Sequence, residues 1–120
     1  MITLDTNTVI YYFNGDENLR KFVEIERQNG EQFVISTITE LELLSFPNIS
    51  PEEIVRLTLW FNEVFILPVD SKVAQKAAEV RRHCHLKTPD AVIAATALLN
   101  GGRLITSDKI FKKVHGLKIL

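Results

Sequence analysis

Short apolar runs alternate along this chain with longer segments in which apolar residues recur at the spacing of a helix face. The short runs predict strands at Ile2–Leu4, Phe33–Ile35, Val64–Leu67, Leu104–Thr106 and Leu117–Leu120. Between them, helix-capping residues open the longer segments at Asp5-Thr6-Asn7, Ser50, Asp70-Ser71 and Ser107-Asp108, and another helix is expected to begin near Thr39. Strands that alternate with helices are typical of an α/β fold. We therefore expect a mainly parallel sheet with helices on both faces.

Two of the predicted helices have distinctive sequences. Ser50 and Glu53 form a capping box ahead of a helix whose apolar residues recur at helical spacing. The segment TPDAVIAATALLN, which starts at Thr88, is almost entirely apolar after Asp90 and predicts a buried helix. We expect Thr88 to be its N-cap and Pro89 its first residue, which places Asp90 in the first turn, near the positive end of the helix dipole.

Composition narrows the class of protein. The 120 residues, 46% hydrophobic and 24% charged, suit one globular domain spanning residues 1–120. The net charge of -1 provides no overall attraction for nucleic acid, so a polyanion must bind at a local patch or through metal ions. The single cysteine, Cys84, excludes an internal disulfide. No stretch approaches the ~20 apolar residues of a membrane span, and no basic segment opens a signal peptide. We therefore expect a soluble cytoplasmic protein.

Acidic residues follow the predicted strands at the positions where parallel sheets bind ligands. Asp5 comes directly after the first strand, Asp108 follows the fourth, and Asp90 opens the buried helix. Glu42, in STITELELLSF, lies on a helix that starts just after the second strand. Because ligands bind beyond the carboxyl ends of parallel strands, these four carboxylates can share one site.

Each of these acids also has an ordinary structural explanation. Asp5 and Asp108 can be plain N-caps, and Glu42 or Glu40 can complete a capping box. Four carboxylates at one edge are harder to explain in this way. Like charges a few ångströms apart repel by about 4 kcal/mol at an effective dielectric near 20. No lysine or arginine lies within two positions of Asp5, Glu42 or Asp90. Mg²⁺ or Mn²⁺ would neutralise the cluster and can promote phosphodiester hydrolysis.

Four segments, LDTNTVI, STITELELLSF, TPDAVIAATAL and LITSDKIF, resemble the PIN-domain ribonucleases in order and spacing across essentially the whole chain. The resemblance is strongest to VapC-type toxins of toxin–antitoxin pairs. It implies a three-layer α/β/α fold and a site for Mg²⁺ or Mn²⁺ formed by Asp5, Glu42, Asp90 and Asp108. Thr106 matches the hydroxyl residue that supports this site, and Asn7 lies near it.

The resemblance also implies a reaction and partners. The expected activity is hydrolysis of RNA to a 5′-phosphate and a 3′-hydroxyl, by a homodimer whose small antitoxin blocks the site. The family pattern favours Glu42 over Glu40, which lie about 200° apart around a helix, so that only one can face the site. Phe46-Pro47 departs from the family, in which a small residue is frequent after that helix.

Three alternatives stay open. LDTNTVI also resembles the start of haloacid-dehalogenase-like phosphatases, although Asn7 stands where those enzymes have a second aspartate. A non-catalytic PIN-like module that binds RNA or protein is a second possibility. In RRHCHLK, His83, Cys84 and His85 suggest zinc, but adjacent helical side chains diverge by about 100°. Arg81, Arg82 and Lys87 in this stretch can instead guide an RNA backbone. Lys109, Lys112 and Lys113, on the helix after Asp108, can help in this role, although a solvated face is the simpler interpretation of these three lysines.

Overall fold

A five-stranded sheet forms the centre of the computed structural model, which describes residues 1–120. The strands are β1 (Ile2–Leu4), β2 (Phe33–Ser36), β3 (Phe65–Leu67), β4 (Arg103–Ile105) and β5 (Lys118–Ile119). They lie in the order β3-β2-β1-β4-β5, and every pairing is parallel. The helices are α1 (Thr6–Phe13), α2 (Glu17–Gln28), α3 (Thr37–Leu44), α4 (Pro51–Phe61), α5 (Ser71–Cys84) and α6 (Thr88–Leu98), followed by a 3-10 helix (Lys109–Lys113). The predicted α/β fold is confirmed.

Successive strand residues point to opposite faces of the sheet, and each face has its own core. Ile2 and Leu4 of β1, with Ile105 of β4, pack against α1, α2 and α4. Leu104, which precedes Ile105, belongs instead to a core formed largely by α5 and α6. The sheet is therefore the middle layer of a three-layer α/β/α arrangement.

The order of the strands reverses beside β1. The chain passes from β1 to β2 to β3 on one side and then returns to β4 on the other side of β1. Residues of α1 to α4, which connect β1 to β2 and β2 to β3, pack in one core, whereas residues of α5 and α6, which connect β3 to β4, pack in the other. Right-handed crossovers in opposite directions along a sheet require helices on opposite faces. In doubly wound sheets, ligands bind beyond the carboxyl ends of the strands at such a reversal. The ends of β1 and β4 therefore mark the expected site.

Most predicted helix starts are confirmed, and two are corrected. Ser50 and Glu53 form the capping box, and the side chains of Asp5, Asp70 and Asp108 all cap helices. Thr88 is not the N-cap of α6. Lys87 occupies that position without a side-chain cap, and Thr88 is the first helical residue. Helix α3 begins at Thr37 rather than near Thr39, because Ser36 Oγ accepts a hydrogen bond from the backbone N–H of Ile38 at 3.1 Å.

Helix α6 is the most deeply buried helix, as its sequence predicts. All seven residues from Ala91 to Ala97 are buried, between α5 and the sheet. The hydroxyl of Thr96 donates to the carbonyl of Val92 at 2.8 Å, so this polar side chain is satisfied within the helix. Asp90 is therefore carried by an element with little freedom to move. None of the helices has the length and apolarity needed to cross a bilayer.

Candidate active site

A cleft of about 430 Å³ opens at the carboxyl edge of the sheet, where β1 and β4 end. The four carboxylates predicted to share a site all line it: Asp5, Glu42, Asp90 and Asp108. Asn7 also lines the cleft, and its side chain is exposed. Glu40 is not among the lining residues. Of the two glutamates considered for this site, α3 thus presents Glu42 to the cleft.

Asp5 is the most firmly held of the four carboxylates and is only 4% exposed. Its Oδ1 accepts a hydrogen bond from the backbone N–H of Thr8 at 2.8 Å, which is the N-cap bond of α1. Its Oδ2 accepts a hydrogen bond from the hydroxyl of Thr106. The oxygen of that hydroxyl accepts in turn from the backbone N–H of Asp108 at 3.0 Å. Thr106 therefore lies behind the cleft and joins two of its acids.

Glu42 is positioned by two threonines. Thr6, the first residue of α1, donates its hydroxyl proton to Glu42 Oε1 at 2.6 Å. The same hydroxyl lies 3.1 Å from that of Thr39, which is fully buried. These contacts connect α1 to α3 across the cleft. Thr6 and Thr39 are not predictable as site residues from the sequence, since nothing in the local sequence links Thr6 to a residue 36 positions later.

Asp108 is the exposed member of the group. Its Oδ1 accepts from the backbone N–H of Ile110 at 3.0 Å and caps the 3-10 helix. The explanations of Asp5 and Asp108 as N-caps are thus correct as far as they go. Capping does not separate these residues from the cleft, because both side chains line it as well.

Asp90 lacks the support that the other three acids receive. Its half-buried carboxylate accepts no hydrogen bond from the protein. Burial raises the pKa of this carboxyl, and the negative charges of Asp108, Glu42 and Asp5 raise the pKa further. The positive charge of Lys87, three residues earlier, offsets only part of the rise. The cleft therefore holds more negative charge than its protein surroundings compensate.

The donor chemistry of the cleft fits a hard divalent cation. Carboxylate oxygens are the ligands that Mg²⁺ and Mn²⁺ prefer. No group of three or more acidic, histidine or cysteine side chains is arranged to hold a metal ion in this structure, so the protein alone forms no complete cage. Such a cage is not required, since Mg²⁺ usually binds one or two carboxylates together with waters and substrate phosphates. The uncompensated charge around Asp90 provides an independent electrostatic reason for a cation to bind here.

The histidines and the cysteine of RRHCHLK, considered above as zinc ligands, are not part of the acidic group. His83 Nδ1 lies 2.9 Å from the carbonyl oxygen of Glu79, while the thiol of Cys84 donates to the carbonyl of Lys113. These two side chains therefore turn to different partners rather than to one ion. Phe46, which departs from the family pattern, lines the cleft and is 48% exposed.

Fold and site together define an α/β/α protein with an acid-lined ligand cleft at the reversal of its sheet. The chain belongs to the PIN domain family, whose sequence model matches residues 2–117. The family resemblance predicted from the sequence is thereby confirmed. PIN-domain proteins are nucleases, so the assignment places the chain among the hydrolases that cleave nucleic acids. It is a different family from the haloacid-dehalogenase-like phosphatases.

Solved structures of similar fold come from toxin–antitoxin complexes. A chain of a toxin-antitoxin complex from Klebsiella pneumoniae is 27% identical, with a TM-score of 0.81 over 98% of this chain and 96% of that one. A chain of VapBC2 from Rickettsia felis, bound to a DNA fragment from the promoter, is 23% identical, with a TM-score of 0.87. The match covers 100% of the present chain and 98% of the Rickettsia chain. A chain of VapBC-1 from nontypeable Haemophilus influenzae is 24% identical, with a TM-score of 0.78. The match covers 100% of the present chain and 97% of the Haemophilus chain. Among curated protein sequences, none matches significantly.

Proposed function

We propose that this chain is a metal-dependent endoribonuclease and the toxin of a VapBC-type toxin–antitoxin pair. The observation that carries the proposal is the shared cleft of Asp5, Glu42, Asp90 and Asp108, in which the carboxylate of Asp90 accepts no hydrogen bond and its charge is only partly offset by Lys87. A cluster of this kind favours the binding of a cation, and the family to which the chain belongs consists of nucleases. RNA, rather than DNA, is the substrate that the family resemblance favours.

The four carboxylates have the role of holding Mg²⁺ or Mn²⁺. When bound, the ion would supply Lewis-acid activation of the phosphodiester and of the attacking water. Asp5 stays in one orientation because Thr8 and Thr106 hydrogen-bond to its two oxygens. Glu42 is oriented by Thr6, and Asp90 by its rigid, buried helix. The chain's own contribution is thus to fix the ligands before the substrate arrives.

The partners in this proposal follow from the relatives and the family resemblance. The solved relatives include chains of toxin–antitoxin and VapBC complexes. By analogy, a small antitoxin is the expected protein partner of this chain, and its binding would block the acidic cleft. A homodimer built from a single domain spanning residues 1–120 is the expected form of the toxin itself.

The test is cleavage of total RNA and of single-stranded oligonucleotides in Mg²⁺, Mn²⁺ or EDTA. Wild type should produce cuts with 5′-phosphate and 3′-hydroxyl ends in either metal and none in EDTA. Asp5→Asn and Asp90→Asn should each reduce the cleavage rate by at least about a hundredfold. Removing one active-site group that stabilises charge in the transition state typically costs that much. Glu40→Gln, a change on α3 outside the cleft, should cut at the wild-type rate. Cuts that survive in EDTA, or in both aspartate variants, would contradict the proposal.

A further inference from the structure

Positive charge is unevenly distributed along this chain. Six of its fourteen lysines and arginines lie in residues 81–87 and 109–115, two segments that contain no acid. The rest of the chain holds eight cations against fifteen acids. All six cations are exposed and none takes part in an ion pair: Arg81, Arg82, Lys87, Lys109, Lys112 and Lys113.

The fold brings these two segments together. The thiol of Cys84, at the end of α5, donates to the backbone carbonyl of Lys113 at 3.4 Å, although the two residues are 29 positions apart. Arg81 Nε donates to the carbonyl of Leu86 at 3.1 Å and so folds the connection to α6 back onto α5. Phe111 of the 3-10 helix packs in the same core as the end of α5. The 3-10 helix therefore lies directly against the end of α5.

Arg82 is the exception among the six cations. Its side chain borders a shallow depression on α5 together with Lys72, Lys76 and Glu79. That depression contains no residue of the 3-10 helix. The other five cations, which we call the basic surface, are Arg81, Lys87, Lys109, Lys112 and Lys113.

The basic surface adjoins the acidic cleft at two points. Lys87 occupies the N-cap position of α6, three residues before Asp90, and its charge acts on that carboxylate. Lys109 directly follows Asp108, and Phe111 of the same 3-10 helix lines the cleft. None of the five cations lines the cleft itself, but Lys87 and Lys109 are close in the chain to two of its acids, at the starts of α6 and of the 3-10 helix.

We propose that the basic surface binds the phosphate backbone of single-stranded RNA and directs the strand into the acidic cleft. The inference rests on the proposed nuclease function. A cleft of four carboxylates repels phosphate, and a net charge of -1 attracts none, so cations outside the cleft have to add to the affinity that a bound metal ion would provide. None of the five cations of this group takes part in an ion pair. Of the two roles that the sequence leaves open for the lysines of the 3-10 helix, the proposal takes contact with RNA rather than simple solvation.

The test compares two triple variants of the full chain that change the net charge equally. Lys87→Gln/Lys109→Gln/Lys113→Gln alters the basic surface, whereas Lys72→Gln/Lys76→Gln/Arg82→Gln alters the depression on α5. Arg81 is left intact because it supports the Leu86 carbonyl. Binding of a fluorescein-labelled single-stranded RNA of mixed sequence is followed by anisotropy over a range of salt concentrations. EDTA prevents cleavage, and melting curves establish that each variant is folded.

The basic-surface variant should bind RNA at least about tenfold more weakly than wild type. Its salt dependence should fall by about 0.7 in log–log slope for each phosphate that is no longer neutralised, hence by about 2 for three phosphates. The α5 control should bind within about twofold of wild type. Equal affinity and slope in the two variants would overturn the inference. So would unchanged RNA binding with loss of a protein partner, which would identify a protein interface. A third outcome is possible: wild type cuts no RNA, yet the basic-surface variant loses RNA binding. That outcome would refute the proposed nuclease function and leave the RNA-binding surface standing.

Discussion

At the scale of single residues, the acids of the cleft differ in how much support the protein gives them. Asp5 has hydrogen bonds to both carboxylate oxygens, whereas Glu42 and Asp108 each have one oxygen bonded. Asp90 has none. Asp5, Asp90 and Asp108 could be named from the sequence because each follows a strand or opens a helix, whereas the family resemblance was needed to choose Glu42 and to indicate Thr106 as a supporting residue. The sequence could not reveal that the hydroxyl of Thr6 donates to Glu42.

Thr6 provides a test of how Glu42 is positioned. Thr6→Val removes the hydroxyl that donates to Glu42 Oε1 but keeps the branched shape of the side chain. Affinity for Mn²⁺, measured by calorimetry, should fall by about 10–100-fold, which is typical when the partner of a metal ligand is removed. Thr6→Ser keeps the hydroxyl and should restore most of the affinity. Equal affinity in wild type and the valine variant would show that Glu42 needs no such support.

The pH dependence of stability tests whether the negative charge of Asp90 is left uncompensated in the folded protein. Its raised pKa means that the folded protein holds this proton more tightly than the unfolded chain does. The free energy of unfolding should therefore fall as pH rises from the ordinary aspartate pKa through the raised value. The position of Asp90 in the first turn of α6 favours its negative charge. Burial and the negative charges of Asp108, Glu42 and Asp5 act in the opposite direction and raise the pKa of Asp90.

In EDTA at neutral pH, Asp90→Asn should therefore unfold at a higher urea concentration than wild type, and the difference should vanish in acid. Urea unfolding curves at several pH values measure this difference. An asparagine variant that is less stable than wild type at neutral pH would show that the charge of Asp90 is compensated.

At the scale of elements, the alternation of strands and helices was predictable, but exact boundaries were not. The apolar run after Asp90 predicted the buried α6 correctly. The N-cap of α6 was wrong by one residue because Lys87 adopts the extended backbone of a cap without using its side chain. Strand β4 was predicted to include Thr106. In the structure the strand ends at Ile105, and the Thr106 hydroxyl bonds to Asp5 across 101 positions.

The small residues of α6 let it lie between α5 and the sheet, and Ala95 is fully buried there. Ala95→Leu should lower the free energy of unfolding by about 1–3 kcal/mol, since extra volume in a packed core forces side chains out of place. Ala78→Leu, on an exposed position of α5, should change it by less than about 0.5 kcal/mol. Urea denaturation provides both values. Similar values for the two variants would mean that α6 is less tightly packed than its burial indicates.

At the scale of the whole molecule, the fold gathers into one cleft acids that are far apart in sequence. Asp5 and Asp108 meet because β1 and β4 are neighbours at the point where the strand order reverses. The alternation of strands and helices predicted the sheet, and the family resemblance predicted which acids share its edge. The basic surface was only partly foreseen. The sequence shows two cationic segments, but not the hydrogen bond between Cys84 and Lys113 that brings them together.

The most direct test of the central claim is calorimetric titration of Mn²⁺ into wild type, Asp5→Asn, Asp90→Asn and Glu40→Gln. Wild type and Glu40→Gln should bind Mn²⁺ with the same affinity, because Glu40 lies outside the cleft. Both aspartate variants should bind at least about tenfold more weakly, since each loses one of the carboxylates proposed to hold the ion. Equal binding by all four proteins, or equal loss in Glu40→Gln, would contradict a metal site built from Asp5, Glu42, Asp90 and Asp108.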